Sequence, residues 1–164
     1  MGIRSKLFGN ARKPEGFMGK MMASGMNGGP HMRLANWGMS HFDVKGDVLD
    51  AGCGGGGNVS RMLAMENVTS VKGLDYSEVS VDKSRSVNAK AIEEGKCAIV
   101  QGNVRELPFG DGSFDTVTAF ETVYFWPEIG ESFRASTGCS AAEAPSRSPT
   151  SPPAPTTLRS STPG

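Results

Sequence analysis

The sequence is short of several things, and each shortage excludes something. Aromatic residues make up 7% of its 164 residues, and neither sign of charge is in excess, with 17 Lys+Arg against 17 Asp+Glu. With no basic surplus to neutralise a phosphate backbone, nucleic-acid binding gets no support from charge. The three cysteines, Cys53, Cys97 and Cys139, lie far apart and form no C-x-x-C. That argues against a disulfide framework or a zinc site and fits a reducing cytoplasm. No apolar run reaches the ~18 residues a membrane-spanning helix needs. The basic N-terminus has no apolar stretch behind it, against a secretory signal, and Lys6 stands where a myristoylation signal wants Ser or Thr. The length suits a single domain, and nothing in the chain sets an oligomeric state.

Composition shifts near residue 135. The last 30 residues hold six of the ten prolines, twelve Ser or Thr, and one large aliphatic residue, Leu158. Such a segment cannot bury enough apolar surface to offset an ordering entropy of ~1–2 kcal/mol per residue, and 135–164 is expected to be disordered. Before it, a Met- and Gly-rich lead-in precedes a short helix over 31–42, with Met32, Leu34, Ala35, Trp37 and Phe42 as its apolar set. Strands are expected at 46–50, 70–74, 96–101 and 114–120. A helix is expected at 58–65, where Val59, Met62 and Leu63 fall at i, i+3, i+4. Another runs from a Ser77 cap toward Gly95, and a last one opens at Pro127. The β-α-β-α-β-β-α order with short connections predicts an α/β fold, a doubly wound parallel sheet of order 3-2-1-4. The clustered methionines (Met18, Met21, Met22, Met26, Met32, Met39) read as adaptable packing, not a metal site.

Twenty-two glycines are many, and the decisive ones fall together in Asp50-Ala51-Gly52-Cys53-Gly54-Gly55-Gly56-Gly57-Asn58, between a strand and a helix. Glycines there let the backbone turn sharply, so that a ligand can lie against bare main chain. The helix start behind them offers N–H groups and a partial positive end. Asp75, 25 residues after Asp50, closes the second strand. A carboxylate there suits the paired hydroxyls of a ribose, so the two strand ends read as a nucleoside cradle. Two cofactors compete. Gly52-x-Gly54-x-x-Gly57 satisfies the dinucleotide fingerprint of nicotinamide-dependent oxidoreductases. Against it, Asp50 would repel a pyrophosphate and attract an ammonium, and S-adenosylmethionine carries an ammonium and no phosphate.

Four motifs in order resemble those of the class I S-adenosylmethionine-dependent methyltransferases: Asp50-x-Gly52-x-Gly54-x-Gly56, Gly73-Leu74-Asp75-Tyr76-Ser77, Gln101-Gly102-Asn103-Val104, and Leu107-Pro108-Phe109 running on to Ser113-Phe114-Asp115. The resemblance covers about 46–134 and implies a Rossmann-like domain there, a helical lead-in or cap at 1–45, and methyl transfer to a small-molecule acceptor. It implies that Asp50, Gly52, Gly54, Gly56, Asp75 and Tyr76 hold the cofactor, with Cys53 taking part through its backbone. Asn103 would meet the adenine amino group through its carbonyl, where the family often has Asp, and the backbone N–H of Val104 would meet the ring. A non-catalytic S-adenosylmethionine-binding module stays open as an alternative.

On the acceptor side, Glu121, Tyr124 and Trp126 follow the fourth strand, and His31 and His41 lie in the lead-in. Glu121 is placed near the methionine end of the cofactor or the acceptor. No residue is assigned a catalytic role. After Arg134 the family usually continues E-V-Y-R-V-L-K-P-G-G into a fifth strand. Here, with suitable synonymous codons, the run from Ala135 to Ser146 can be read one step out of register as a close version of that motif. A C-terminal frameshift near residue 134 is therefore expected, leaving 135–164 as an out-of-frame tail.

Overall fold

The computed structural model describes residues 29–126 and 128–139. The readings made above for 1–28 and 140–164, and for Pro127, lie outside the described residues. The expected topology is what the chain adopts. Four strands, β1 (Gly46–Ala51), β2 (Val68–Asp75), β3 (Cys97–Gln101) and β4 (Thr116–Thr118), pair in parallel in the order β3-β2-β1-β4. The helices are α1 (Gly29–His41), α2 (Gly57–Leu63), α3 (Glu78–Val87), α4 (Ala89–Glu93) and α5 (Ile129–Gly138), with a 3-10 turn at Val123–Phe125.

Sheet register explains the two cores. The central strand β1 is covered on both faces, and Val48, Leu49, Asp50 and Ala51 are all buried, as strands in parallel sheets usually are. Val48 pairs with Val71 and Val71 with Cys97, and these join Val59 and Met62 of α2, Val81 of α3 and Ala35 and Met39 of α1 in one cluster. Leu49 pairs with Lys72 and Ala51 with Leu74, and the opposite face holds Leu49, Ala51 and Leu74 with Val104, Phe114 and Cys139. There the rings of Phe109 and Phe114 meet edge to face, 5.1 Å between centroids, and the Lys72 ammonium lies 5.4 Å from one centroid and 5.5 Å from the other. Of these motif residues Phe114 is thus core, Leu107 and Phe109 are half-buried against it, and Pro108 is exposed.

Several boundaries differ from expectation for identifiable reasons. The helix after β2 begins as expected, with Ser77 accepting the Ser80 N–H, but it breaks at Asn88 (φ −107°, ψ 18°) into α3 and α4. Strand β4 is three residues, not seven. Before it, the Phe114 N–H is taken by the Cys139 carbonyl, and after it Phe120 leaves the sheet to pack on the first core. On α1 the buried face is Ala35, Gly38 and Met39, while Met32, Leu34 and Trp37, together with Phe42 just beyond the helix, are exposed. Gly38 decides this, because the edge of the Phe120 ring sits 3.0 Å from where a Cβ would be. The composition boundary at 135 falls inside α5, whose Ser136 is buried, as is the adjoining Cys139. Carbonyls of Gly138 and Cys139 accept the N–H groups of Gly112 and Phe114, which ties this stretch to the domain.

Phe114→Ala should cost ~3–5 kcal/mol, since it empties the centre of the second core, whereas Ser77→Ala removes one cap and should cost about 1 kcal/mol. Urea unfolding of both variants measures the difference, and equal losses would contradict this packing.

Candidate functional site

Past Ala51 the chain curls over the tip of β2. The N–H groups of Gly52 and Cys53 both donate to the Leu74 carbonyl, at 2.7 and 2.9 Å. The turn needs positive φ at Gly52 (85°), Gly54 (52°) and Gly56 (80°), a region that costs side-chain-bearing residues strain. Crowding adds to the requirement: a Cβ on Gly52 would lie 2.7 Å from the Thr122 side chain, and one on Gly56 would collide with Ser84 and Asn88. Thr122 in turn donates its hydroxyl to the Ala51 carbonyl at 3.0 Å. The resulting cleft holds about 400 Å³ of space open to solvent, with the glycine loop and Asn58 on one side and His31, Phe120 and Glu121 on the other.

Two acids stand behind this loop on one face of the sheet. Asp50 is in register with Gly73, and Asp75 lies two residues further along the same pleated face. Asp50 is 1% exposed. Its Oδ1 accepts the Thr118 hydroxyl at 3.0 Å, and its Oδ2 is buried with no hydrogen-bond partner. Burial raises its pKa from 3.8 to about 7; the Thr118 hydrogen bond opposes that shift and the Asp75 charge adds to it. Asp75 braces the loop directly, accepting the Gly54 N–H on Oδ2 and the Ser77 N–H on Oδ1, each at 2.9 Å. Burial raises its pKa as well, against those backbone hydrogen bonds. The Cys53 thiol is buried and pushed well above its ordinary range by burial, in keeping with a residue that serves through its main chain.

The structure brings together some of the expected residues and separates others. Gly52, Cys53, Gly54 and Glu121 line the cleft, and Asp50 and Asp75 support it. Tyr76 follows directly on Asp75 and is exposed. At the end of β3, Asn103 is exposed and accepts the Arg105 N–H at 3.1 Å, while the Val104 side chain is buried in the second core. Glu121 takes φ 55°, rare for a residue with a side chain, and its Oε2 lies 2.7 Å from His31 Nδ1. Three candidates fall away from the cleft. Trp126 packs against the second core, Tyr124 is exposed with its ring against Phe125, and His41 stacks on Trp37 with Nδ1 2.7 Å from that residue's carbonyl. Thr118, Thr122, Asn58 and Phe120 carry no sequence signal for a site. The two threonines reach it only because β4 lies beside β1, 68 and 71 residues away in the chain.

The methyltransferase domain family matches residues 49–139, more than half of the chain, and the chain belongs to that family, the class I S-adenosylmethionine-dependent methyltransferases. It is 36% identical over 91 residues to 24-methylenesterol C-methyltransferase 2 of Oryza sativa subsp. japonica, covering 53% of this chain and 25% of that protein. It is 35% identical over 81 residues to 27-O-demethylrifamycin SV methyltransferase of Amycolatopsis mediterranei (strain S699), covering 49% and 29%. The chain thus spans between a quarter and a third of the length of these curated relatives. A SAM-dependent methyltransferase from Aquifex aeolicus shares the fold, with a TM-score of 0.63 at 16% identity over 74% of this chain and 66% of that one.

The family implies S-adenosylmethionine as cofactor, and the residues present fit it. The orphaned Asp50 Oδ2 is a buried acceptor in want of a cationic donor, and the glycine loop presents backbone without side chains. Among the described residues no group of three His, Cys, Asp or Glu could hold a metal, and no helix is long and apolar enough to cross a membrane.

The raised pKa gives a pH signature. Folding favours protonated Asp50, so its contribution is full below an unfolded pKa of about 3.9 and is lost as pH rises through about 7. From about pH 5 to about pH 8 the melting temperature of the ligand-free protein should fall further in wild type than in Asp50→Asn. Thermal melts across that range measure it, and parallel curves for the two proteins would exclude a raised Asp50.

Proposed function

We propose that this chain binds S-adenosylmethionine in the cleft over the β1 and β2 tips and belongs to an enzyme that transfers its methyl group to a small-molecule acceptor. The observation that carries this reading is the pair of same-face acids beneath a positive-φ glycine loop, with one buried carboxylate oxygen unbonded. Asp75 would take the ribose hydroxyls with its carboxylate, which the Gly54 and Ser77 N–H groups already hold in place. Asp50 would face the ammonium end of the methionine moiety, where a dinucleotide pyrophosphate would meet two acids instead. Asn103 offers its side-chain carbonyl, and Val104 its backbone, at the end of the third strand, where adenine would lie. Tyr76 would flank the ribose.

The cofactor supplies an already activated methyl on a positively charged sulfur. The chain's own task is alignment, which can be worth ~7–11 kcal/mol when reacting groups are held in line. Glu121 and His31 form the wall of the cleft opposite the loop and would face the acceptor or the methionine end. Relatives named for a sterol carbon and a rifamycin oxygen support a small-molecule acceptor without selecting one. Three buried free cysteines suit a reducing cytoplasm.

Calorimetric titration tests the reading. S-adenosylhomocysteine should bind the wild-type chain, and Asp75→Ala should weaken that binding by at least about tenfold, the loss of a charge-assisted pair of hydrogen bonds. NAD should not compete. Binding of NAD in place of S-adenosylhomocysteine would reverse the assignment to an oxidoreductase, and binding without methyl transfer to any acceptor would leave a cofactor-binding module.

A further inference from the structure

The helix after β2 is interrupted at Asn88, and the interruption has a use. Asn88 is 4% exposed, and its Nδ2 donates to the Gly56 carbonyl at 3.1 Å and to the Ser84 carbonyl at 2.9 Å. The Ser84 carbonyl also accepts the Asn88 N–H at 3.0 Å, and the Asn88 carbonyl accepts the Ile92 N–H at 3.0 Å. Every hydrogen bond of this buried amide's nitrogen is therefore spent on main chain, and one of them crosses 32 residues to the glycine loop. The Gly56 carbonyl it reaches belongs to the last residue before α2 and also accepts the Ser60 N–H at 3.1 Å. A peptide unit is planar, so pinning that carbonyl fixes the direction of the Gly57 N–H on its far side, and Gly57 lines the cleft. Gly56 sits at φ 80° with Ser84 and Asn88 filling the place of a side chain, so α3 and the loop touch main chain to side chain with no spacer.

Resting on the proposed cofactor reading, we infer that Asn88 is a positioning residue for the cofactor: it holds the Gly56–Gly57 peptide in the orientation that shapes the cleft wall, and it acts from behind the loop without touching the ligand. Asp75 holds the same loop at Gly54. The loop is thus clamped at two peptides by two side chains, one from the β2 tip and one from the break between α3 and α4. A carboxylate in place of the Asn88 amide keeps the shape and loses both donated hydrogen bonds, setting oxygen against oxygen at Gly56 and Ser84.

The test uses the full chain and Asn88→Asp, Asn88→Ala and Val71→Ala, the last a core variant outside the loop that controls for lost stability. All are titrated with S-adenosylhomocysteine at a temperature where each is folded, and amide hydrogen exchange of residues 54–57 is followed without ligand. Both Asn88 variants are expected to bind about tenfold more weakly than wild type and to exchange faster at the loop. Val71→Ala should lose stability with unchanged affinity and unchanged loop exchange. Wild-type affinity and exchange in Asn88→Asp would overturn the inference, as would an equal loss of affinity in Val71→Ala. If wild type fails to bind, the cofactor reading falls and the ligand role with it, while loop exchange in Asn88→Asp still decides whether the amide braces the loop.

Discussion

Parallel pairing of β1 on both of its edges is the constraint from which the cleft follows. Because β2, β1 and β4 run the same way, their C-terminal ends arrive together. Asp75, Asp50 and Thr118, from three separate stretches of sequence, become neighbours without any local signal between them. The Leu74 carbonyl at the β2 tip then captures two successive N–H groups of the departing β1 chain, so the glycine loop folds back over β2 instead of running straight on. Ligands in open parallel sheets bind where neighbouring connections diverge, and here the connections after β1 and β4 leave that opening between Gly52 and Glu121.

The arrangement tolerates an electrostatic penalty. A carboxyl group within a parallel sheet, hydrogen-bonded on one oxygen only, is an unfavourable element for a domain of this size. Its neighbours deepen the penalty, because Asp75 adds a like charge on the same face. A buried acid whose cost of ionisation is raised by a second acid on the same face creates a place where positive charge is welcome and phosphate is not. The same fold with a neutral residue at position 50 would be easier to stabilise and would lose that preference.

How much of this could be read from the residues varies with the distance over which each feature is determined. The glycine cluster, Asp50, Asp75 and the Ser77 cap are local, and spacing along the chain was enough to place them. The strand order follows from right-handed crossovers with short connections, so it too was legible. What escaped were features set by contact between remote segments. Thr118 and Thr122 look like ordinary strand and turn residues until β4 docks beside β1. Asn88 looks like a helical surface residue until the Gly56 carbonyl gives its amide a partner. The apolar set expected on α1 was misassigned because Met32 and Trp37 outweigh Gly38 in hydrophobicity, whereas the close approach of Phe120 selects the glycine. The boundary at 135 came from composition, which is blind to the small buried residues Ser136 and Cys139.

Seen from solvent, the two walls of the cleft are held by different kinds of force. The loop side is fastened by buried hydrogen bonds, while the far wall is joined to α1 through His31 and Glu121, whose side chains are 47% and 29% exposed. A hydrogen bond that meets water this freely competes with water for both of its partners and adds little to stability. Solvent therefore acts selectively on this molecule: water can take the place of the His31–Glu121 contact at the rim, while the buried hydrogen bonds of the loop have no such competitor.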